Sequence, residues 1–293
     1  MRNLIQIIKF ILNHPIGKRK KIKSLLRFFY WQIFSRLKIA KSTFSFINNC
    51  KLYITSGQTI ATGNYYVGLL EFSEMAFVAH FLNEKDTFFD IGTNIGTYTV
   101  IASGVSKATT YSFEPIPETF NSLKKNIILN NIQNKVIALN IGLADKNGFS
   151  NFTISLDAKN HIATAFETEE TINVEVKILN KFKQNIPALI KVDVEGYEEF
   201  ILKGADEILK ASTLKAIIIE VNNEGERYNV ASDSVHTILT SYGFSMYKYR
   251  PFERELQSLK KSISDNRIYL RDIKYVSEKV KQSPKVKVSG MYI

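Results

Sequence analysis

Glycines and acidic side chains stand close together at two places in this chain, in patterns that suit small-molecule binding and proton removal. At the first place an apolar stretch ends in the segment Asp90-Ile-Gly-Thr-Asn-Ile-Gly96. Gly92 and Gly96 allow a tight turn and a close approach of the backbone to a ligand, because neither carries a side chain. The G-x-x-x-G spacing departs from the G-x-G-x-x-G pattern that cradles a pyrophosphate. A cationic cofactor without phosphates therefore suits this turn, with Asp90 and Asn94 beside it.

A further acid lies at the distance expected for a ribose contact. Glu114 follows the next apolar stretch, 22 residues beyond Gly92. In nucleotide-binding α/β folds, an acid about 20 residues after the glycine turn accepts hydrogen bonds from ribose hydroxyls. Pro115 ends the predicted strand and holds the carboxylate at its carboxyl end. Taken alone, the glycines are also compatible with an ordinary tight turn.

The second place is the segment Lys191-Val-Asp-Val-Glu-Gly-Tyr-Glu198. Asp193 and Glu195 alternate with Val194 and therefore point to one side of the predicted strand. A carboxylate within hydrogen-bond reach can remove the proton of an alcohol, so both acids are candidate catalytic residues. Capping of the following helix is the structural alternative for them. Lys191 is predicted to pack or to form an ion pair.

Two more residues are candidates on the substrate side. Glu220 ends the predicted fifth strand, and we weigh substrate binding equally against a purely structural acid at a strand end. His161 is the histidine best placed to approach an acceptor, and the alternative is an exposed loop histidine without a role. Asp193, Glu195 and Glu220 offer oxygen ligands that suit Mg²⁺, but their spacing does not require a metal, so we predict none.

Alternating strands and helices must position these residues. Strands are predicted at Thr87–Ile91, Thr109–Phe113, Lys135–Asn140, Ala188–Val194 and Leu214–Val221. Helices are predicted at Glu71–Leu82, 95–103, 116–130, 196–210 and near 232–242. This alternation predicts an α/β fold with a mostly parallel, doubly wound sheet. Residues 51–70 are predicted to form short strands and turns, 148–180 a β excursion, and 244–249 with 266–271 an antiparallel pair.

The net charge of +11 is concentrated at the N-terminus. Residues 1–70 contain twelve Lys or Arg and no Asp or Glu, so the rest of the chain carries 27 basic and 28 acidic residues. A nucleic-acid-binding surface on this nearly neutral main body is not indicated, and we regard a nucleic-acid partner as disfavoured. The lone Cys50 excludes an intramolecular disulfide and a multi-cysteine zinc site, and it fits a reducing compartment such as the cytoplasm.

Two interpretations of the basic N-terminal segment stay open. One predicted face of residues 24–37 carries Leu26, Phe29, Tyr30, Ile33, Phe34 and Leu37. That face can pack on the main domain, which is the interpretation we favour, or it can lie on an anionic membrane reached through residues 1–41. The apolar stretch Leu4–Leu12 is too short to span a bilayer. We therefore divide the chain into a basic helical extension (1–50), a main domain (51–273) and a Lys-rich tail without periodicity (274–293).

The main domain resembles the FkbM family of S-adenosylmethionine-dependent methyltransferases over about residues 63–222. The motifs that carry the resemblance are Asp90–Gly96, Phe113-Glu-Pro115, Ile141-Gly-Leu-Ala-Asp145, Ile190–Glu198 and Ile219-Glu-Val-Asn222. The resemblance implies a Rossmann-like class I methyltransferase fold with S-adenosylmethionine as cofactor. It implies a cofactor site made of Asp90, Gly92, Asn94, Gly96, Glu114, Gly142 and Leu143. Thr93 replaces the more usual alanine, and Asn180 stands where the family often has aspartate.

The resemblance implies O-methylation of a hydroxyl on a sugar, a glycan or another small metabolite. The chain has no Asp/Asn-Pro-Pro-aromatic motif and no cysteine in the predicted core, which disfavours methylation of a nucleic-acid base. Three alternatives remain: an RNA methyltransferase that uses the basic N-terminal segment, a nicotinamide-dependent dehydrogenase, and a non-catalytic, membrane-associated binding protein. The glycine spacing speaks against the dehydrogenase. The sequence leaves the acceptor and the oligomeric state open.

Overall fold

Among the described residues, five helices and a small hairpin precede the first strand of the central sheet. The computed structural model describes residues 2–37, 42–165, 167–231, 233–261 and 264–293, with only the backbone of Arg2 and Asn3. Its first elements are α1 (Arg2–Asn13), α2 (Pro15–Arg19), α3 (Lys21–Phe34), β1 (Thr43–Ser45), β2 (Lys51–Tyr53), α4 (Thr59–Val67) and α5 (Phe72–Phe81). Lys38 and Lys41 of the basic segment and residue 232 lie outside the described residues.

The remaining elements alternate along the chain. The strands are β3 (Thr87–Ile91), β4 (Thr109–Phe113), β5 (Val136–Leu139), β6 (Gly142–Leu143), β7 (Gly148–Thr153), β8 (Thr171–Lys177), β9 (Leu189–Val192), β10 (Ala216–Glu220), β11 (Ser245–Arg250), β12 (Glu255–Ser258), β13 (Asn266–Leu270), β14 (Lys287–Val288) and β15 (Met291–Tyr292). The helices are α6 (Thr97–Thr99), which continues as a π-helix over Val100–Val105, α7 (Pro117–Leu129), α8 (Glu198–Lys203), α9 (Asp206–Lys210), α10 (Ser234–Ser241) and α11 (Ile273–Gln282). Short 3₁₀ helices cover Asp157–Lys159, Leu179–Asn185 and Asn223–Tyr228.

Eight strands form the central sheet in the order β12-β11-β13-β10-β9-β3-β4-β5. The five strands from β10 to β5 run parallel, whereas β13, β11 and β12 pair antiparallel. Along the chain, β4 and β5 are added on one side of β3, and β9 and β10 are then added on its other side. The strand order therefore reverses between β3 and β9, where ligands bind beyond the carboxyl ends of the strands. This topology confirms the doubly wound, Rossmann-like α/β fold.

Apolar layers on both faces hold the sheet. Every residue of β9 is buried, as expected for a parallel strand covered on both sides. The neighbours Phe88 and Phe89 are both fully buried, and they belong to different hydrophobic clusters because successive side chains point to opposite faces. Helices α5 and α7 cover the face of Phe88, while α8, α9 and α10 cover the face of Phe89. The β excursion is confirmed as a three-stranded sheet of β6, β8 and β7.

Three local expectations are wrong. Tyr65–Val67, expected to be extended, lies in α4, and the single helix expected over 196–210 is divided into α8 and α9. The segment 274–293, expected to lack periodicity, contains most of α11. Val276 and Val280 lie one turn apart on α11 and are fully buried, and Lys279 forms a 2.7 Å ion pair with Asp86. The C-terminal segment is therefore packed against the main body.

The N-terminal helix α3 contacts the body with a different face from the expected one. Ser24, Phe28 and Trp31 are buried, and Phe28 and Trp31 join the core cluster. Leu26 and Ile33, which we expected to pack on the domain, are exposed. Among the described residues, none of the helices is long and apolar enough to cross a membrane.

Candidate active site at the switch point of the sheet

A cavity opens where the carboxyl ends of β3, β4 and β9 meet. The cavity with its open mouth comprises about 1020 Å³ of empty space, enough for a cofactor and an acceptor. Nine of the residues singled out above line it: Gly92, Asn94, Glu114, Gly142, Leu143, His161, Asp193, Glu195 and Glu220. Its lining carries six acids, adding Glu71 and Asp157, and, among the described residues, neither Lys nor Arg.

The glycine turn after β3 is shaped by the protein's own backbone. Gly92 has φ +72°, and a β-carbon there would lie 1.7 Å from the carbonyl oxygen of Asp193. Gly96 has φ +88°, and a β-carbon there would lie 2.5 Å from Leu123. We expected these glycines to make room for a ligand, and the structure shows that they make room for the neighbouring strand end and for α7. Gly96 does not line the cavity.

Asp90 lies behind the turn rather than on the cavity wall. It is 1% exposed, and its carboxylate accepts a 2.7 Å hydrogen bond from the Thr99 hydroxyl, which also contacts the Ser112 hydroxyl at 2.7 Å. Burial raises the pKa of Asp90 to about 6, although the Thr99 hydrogen bond and Lys191 oppose the shift. The expected direct contact of Asp90 with the cofactor is therefore replaced by a supporting position under the turn.

Glu114 joins the ends of β3 and β4. Its two carboxylate oxygens accept hydrogen bonds from the backbone N–H of Asn94 at 2.8 Å and of Ile116 at 3.0 Å. Burial raises the pKa of Glu114 to about 7, and these two hydrogen bonds limit the shift. Asn94 has φ +52°, a left-handed conformation that turns its backbone toward Glu114. Each oxygen keeps a second lone pair for a ligand hydroxyl.

An apolar wall continues from Glu114 into the small sheet. Ile116, Leu143 and Phe152 line the cavity on this side. A β-carbon on Gly142 would lie 2.6 Å from the Phe152 ring, so Gly142 is small because the ring packs against it. The wall suits a flat aromatic group such as an adenine ring.

Asp193 is held by a buried lysine. The Nζ atom of Lys191, a residue that is 2% exposed, lies 2.6 Å from Oδ2 of Asp193 and 4.8 Å from the centre of the Tyr98 ring. Burial alone lowers the pKa of Lys191, but Asp193 and Glu71 outweigh it and the pKa is raised. Burial favours the neutral acid at Asp193, yet the charge of Lys191 outweighs it and lowers the pKa of Asp193. The ion pair predicted for Lys191 is present.

Three carboxylates converge at the reacting end of the cavity. One oxygen each of Asp193, Glu195 and Glu220 lies within 4.8 Å of the others. Burial and the charge of Asp193 raise the pKa of Glu220, because two neighbouring acids cannot both ionise easily. Burial, with Asp193 as the next cause, raises the pKa of Glu195 to about 7. The trio could coordinate a divalent cation, or share protons around a positively charged ligand.

The turn that carries Asp193 and Glu195 does not use their carboxylates for its own backbone hydrogen bonds. Glu195 has φ +52°, a conformation that is uncommon for a residue with a side chain. The backbone N–H groups of Val194 and Gly196 donate to Glu198, each at 3.2 Å. Glu198 therefore supplies the carboxylate that accepts from the N–H groups of this turn. The helix capping considered as the alternative for Asp193 and Glu195 is not observed, because the start of α8 at Tyr197 has no side-chain cap.

His161 lines the cavity but is engaged on both sides. It is 4% exposed, its Nδ1 lies 2.8 Å from the carbonyl oxygen of Lys159, and its Nε2 lies 3.0 Å from Glu167. Both partners are hydrogen-bond acceptors, so both ring nitrogens are occupied. His161 is a wall residue fixed by Glu167, not an exposed loop histidine.

Glu71 is a residue of the site that the sequence reasoning missed. Its carboxylate accepts hydrogen bonds from the Tyr98 hydroxyl at 2.5 Å and from the Asn266 amide at 2.9 Å, and it lines the cavity. Tyr98 in turn lies against Lys191. The sequence feature that could have drawn attention to Glu71 is its position as the first acidic residue of the chain. Glu71 thus belongs to the network that surrounds Lys191 and Asp193.

The residues fit the S-adenosylmethionine that the resemblance implies. Glu114 offers acceptors for ribose hydroxyls, Leu143 and Phe152 form an apolar wall for adenine, and Asp193 and Glu195 supply negative charge for a sulfonium. A cofactor with phosphates would need cations, and the described lining contains neither Lys nor Arg. The cavity is therefore matched to a cation without phosphates.

Comparisons with known proteins identify the family of this chain. The methyltransferase FkbM domain matches residues 90–246. Hexuronic acid methyltransferase AglP of Haloferax volcanii is 32% identical over 143 residues, which cover 47% of this chain and 57% of AglP. Methyltransferase 1 of Beauveria bassiana is 28% identical over 193 residues, which cover 57% of this chain and 75% of that protein. The chain thus spans little more than half the length of AglP.

Solved structures with a similar chain path include the following two, both at low sequence identity. The methyltransferase FkbM from Methylobacillus flagellatus KT has a TM-score of 0.45 at 14% identity, covering 72% of this chain and 52% of its own. TYW2 of P. horikoshii, solved in complex with MeSAdo, has a TM-score of 0.42 at 15% identity, covering 88% of this chain and 84% of its own.

Proposed function

The chain belongs to the FkbM family of methyltransferases, and from this premise we propose that it methylates a hydroxyl group of a sugar, a glycan or another small metabolite. It is a methyltransferase that uses S-adenosylmethionine. The observation that carries the proposal is the convergence of Asp193, Glu195 and Glu220 within 4.8 Å in the cavity that also contains Glu114. This arrangement supports binding of a cation beside a group that can remove a proton.

The cofactor-binding residues divide the cavity into two ends. Glu114 would hold the ribose, with Asn94 fixing its carboxylate, and Gly142 and Leu143 would lie along the adenine. Asp90 and Gly96 would support the turn from behind. When bound, S-adenosylmethionine supplies a methyl group on a positively charged sulfur, which is activated for transfer to an oxygen nucleophile.

We assign proton removal to Glu195 rather than to Asp193. A general base works best with a pKa near the working pH, and the pKa of Glu195 is raised to about 7 by burial and then by Asp193. Asp193 is paired with Lys191 at 2.6 Å, so its negative charge is held in place and it is a weaker base. In this proposal Asp193 orients the reactants, and Glu195 takes the acceptor proton.

Glu220 and His161 take substrate-side roles in this proposal. The pKa of Glu220 is raised by burial and by the charge of Asp193, so Glu220 holds a proton near neutral pH and donates it in a hydrogen bond to Asp193. Its other oxygen can accept a hydrogen bond from the hydroxyl of the acceptor. His161 is fixed between Lys159 and Glu167 and shapes the wall beside the acceptor. Neither residue needs to change its protonation state during transfer.

The charge of the cavity supports a neutral hydroxyl acceptor. Six acids line it, and its described lining contains neither Lys nor Arg. These acids would repel a carboxylate on the acceptor, and the nearby cations Lys159 and Arg227 are already paired with Glu224. The name of AglP refers to a hexuronic acid, but a neutral sugar or alcohol fits the cavity of this chain better.

An RNA acceptor finds less support. The basic residues are concentrated before Glu71, and the described lining of the cavity is acidic, which repels a phosphate backbone. The alternative of a non-catalytic binding protein is disfavoured by the family membership and by the retained cofactor residues.

The test is calorimetry followed by a transfer screen. S-adenosylmethionine should bind, and Glu114→Ala should weaken binding by about 1–3 kcal/mol because the ribose hydroxyls lose their carboxylate acceptor. Radiolabelled methyl transfer is then measured with neutral sugars, matched uronic acids, lipid-linked sugars and transfer RNA. Transfer to neutral hydroxyls over the matched uronic acids supports the proposal. Transfer only to RNA, or no cofactor binding, would contradict it.

A further inference from the structure

Helix α3 is apolar on two opposite faces. Ser24, Phe28 and Trp31 face the body and are at most 6% exposed. Arg27 strengthens this contact by donating to the carbonyl oxygen of Tyr65 at 3.1 Å, and Gln32 donates to the Tyr66 hydroxyl at 3.3 Å. The side of α3 that carries Ser24, Phe28 and Trp31 is thus buried against the body of this chain.

The opposite side of α3 is an exposed apolar stripe formed by Ile22, Leu26, Phe29 and Ile33. These side chains are 77%, 64%, 47% and 54% exposed, respectively. Their spacing of four, three and four residues aligns them on one face of the helix. The stripe lies about 160° around the helix axis from Phe28 and Trp31, given 100° per residue. An exposed apolar surface of this kind marks an interaction site.

Cations surround the stripe without acidic partners. Ile22 and Leu26 share an open groove with six basic residues: Lys18, Arg19, Lys20, Lys21, Lys23 and Arg27. No Asp or Glu occurs before Glu71, and the ion pairs among the described residues all lie beyond position 85. Burial, with Arg27 and Lys20 as further causes, lowers the pKa of Lys23, which reflects this crowding.

An exposed apolar stripe beside cations without acidic partners favours one kind of binding partner. A second copy of the chain would cover the stripe but would bring its own uncompensated cations against these. A nucleic acid would neutralise the cations, but its phosphate backbone has no apolar surface that could cover Ile22 or Ile33. An anionic bilayer satisfies both features, because lipid phosphates pair with lysines while the acyl boundary takes up an aliphatic stripe.

We propose that α3 docks the protein on an anionic membrane surface, lying in the plane of the interface with its stripe toward the acyl chains. Lys18, Lys20, Lys21 and Lys23 then lie at the level of the lipid phosphates, with their aliphatic stems along the apolar boundary. Because Phe28 and Trp31 fix α3 to the core, the whole domain is held at the surface.

Helix α4 connects this surface to the active site. Tyr65, near one end of α4, lies 5.9 Å from the Trp31 ring and lines the basic groove. Ile60, near the other end, lines the catalytic cavity. Tyr65 comes five residues after Ile60, a rise of about 8 Å along the helix axis. Docking through α3 therefore holds the catalytic cavity close to the membrane.

The experiment measures co-sedimentation of the full chain with vesicles. Vesicles of phosphatidylcholine mixed with phosphatidylglycerol are compared with pure phosphatidylcholine vesicles. The stripe variant Ile22→Ser/Leu26→Ser/Ile33→Ser should lower the partition constant at least about a hundredfold, because three aliphatic groups are lost. Its matched control Ile128→Ser/Phe149→Ser, which changes side chains that are 60% and 69% exposed elsewhere, should bind as the wild type.

Charge is tested separately. Lys18→Gln/Lys21→Gln should weaken binding about 25-fold, at about fivefold per neutralised lysine, and added salt should weaken wild-type binding. The control Lys125→Gln/Lys146→Gln should have little effect. All variants should keep the wild-type melting temperature, because each substituted side chain is exposed at the surface.

Four outcomes would overturn the proposal. They are no wild-type binding to anionic vesicles, equal binding to pure phosphatidylcholine, stripe variants that bind like the wild type, and a solution dimer that the stripe variant dissociates. Transfer RNA is the competing probe. RNA binding that Lys18→Gln/Lys21→Gln abolishes and the stripe variant preserves, without vesicle binding, would assign the surface to nucleic acid instead.

Discussion

The carbonyl oxygen of Asp193 lies 1.7 Å from the point that a β-carbon on Gly92 would occupy. The two residues are about a hundred positions apart, and they end the neighbouring strands β3 and β9. The turn at Gly92 lines the end of the cavity that we propose for the cofactor, and the turn at Asp193 carries the acids that we propose for orientation and proton removal. Because the two backbones are in direct contact, cofactor binding and acid placement depend on the same junction.

A first prediction follows for Gly92→Ala. The left-handed φ of +72° costs about 1–2 kcal/mol with a side chain, and the collision with Asp193 adds about 1–3 kcal/mol. Gly243→Ala is the matched control, because Gly243 has φ +81° but nothing within 4 Å of its added β-carbon. Urea unfolding should show a larger loss for Gly92→Ala, with weakened cofactor binding. Equal losses in the two variants would rule out the collision.

The order and position of the parallel strands could be predicted from the sequence because each strand is a local apolar run. The segments Asp90–Gly96 and Lys191–Glu198 could be placed near each other because the carboxyl ends of parallel strands lie at the same edge of the sheet. The structural reason why position 92 requires a glycine could not be predicted, since it depends on a backbone contact with Asp193, which is distant in sequence. The place of Glu71 in the site could not be predicted for the same reason, because its partners Tyr98 and Asn266 come from separate elements.

A second prediction concerns the buried ion pair. Asp193→Asn should destabilise the chain by about 3–5 kcal/mol, because it leaves the ammonium of Lys191 buried without its 2.6 Å partner. The double variant Lys191→Met/Asp193→Asn should recover part of this loss, because the unpaired charge is removed. A double-mutant cycle by urea unfolding measures the coupling. Additive losses would show that the pair contributes nothing.

A third prediction separates the two candidate bases. Glu195→Gln should slow methyl transfer by about 10²–10⁴-fold, the usual contribution of a general base. In the wild type the rate should rise through about pH 7, because burial and then Asp193 raise the pKa of Glu195 to about 7. The variant should lose this rise while keeping its affinity for S-adenosylhomocysteine. Undiminished turnover would move proton removal to Asp193.

A fourth prediction concerns pH and has opposite signs for stability and for cofactor binding. Burial is the main cause that raises the pKa of Glu74, Glu114, Glu195 and Glu198 to about 7 each. Between about pH 6.5 and 8 the folded chain therefore holds more protons than the unfolded chain, so its stability should fall as pH rises. Below this window, burial lowers the pKa of His14 and His80 to about 4, which offsets the trend.

Affinity for S-adenosylmethionine should rise across the same window. Glu114 and Glu195 line the cavity and become negative, which favours a sulfonium cation. S-adenosylhomocysteine lacks that charge and serves as the control, because its affinity should change much less. Thermal melts without cofactor and calorimetry with both ligands provide the measurements. Parallel changes for the two ligands would contradict this assignment of the acids.

The N-terminal helix shows where local periodicity is insufficient. The spacing of Leu26, Phe29 and Ile33 predicts an apolar face, but Phe28 and Trp31 form a second one. The choice between the two faces depends on contacts from α4, where Tyr66 packs edge-on against Phe28 with the ring centres 5.3 Å apart. Because α4 itself was expected to be extended, the sequence pattern favoured the wrong face.

The last prediction uses this geometry in one pair of neighbours. Phe28 is fully buried and belongs to the main core cluster, whereas Phe29 is 47% exposed. Phe28→Ala should lower the free energy of unfolding by about 3–5 kcal/mol, because it leaves a cavity against Tyr66 and the core. Phe29→Ala should change it by no more than about 0.5 kcal/mol, while weakening vesicle binding. Urea unfolding of both variants measures the difference. Similar losses would mean that both faces of α3 are buried in solution, and a larger loss for Phe29→Ala would mean that α3 turns its other face to the body.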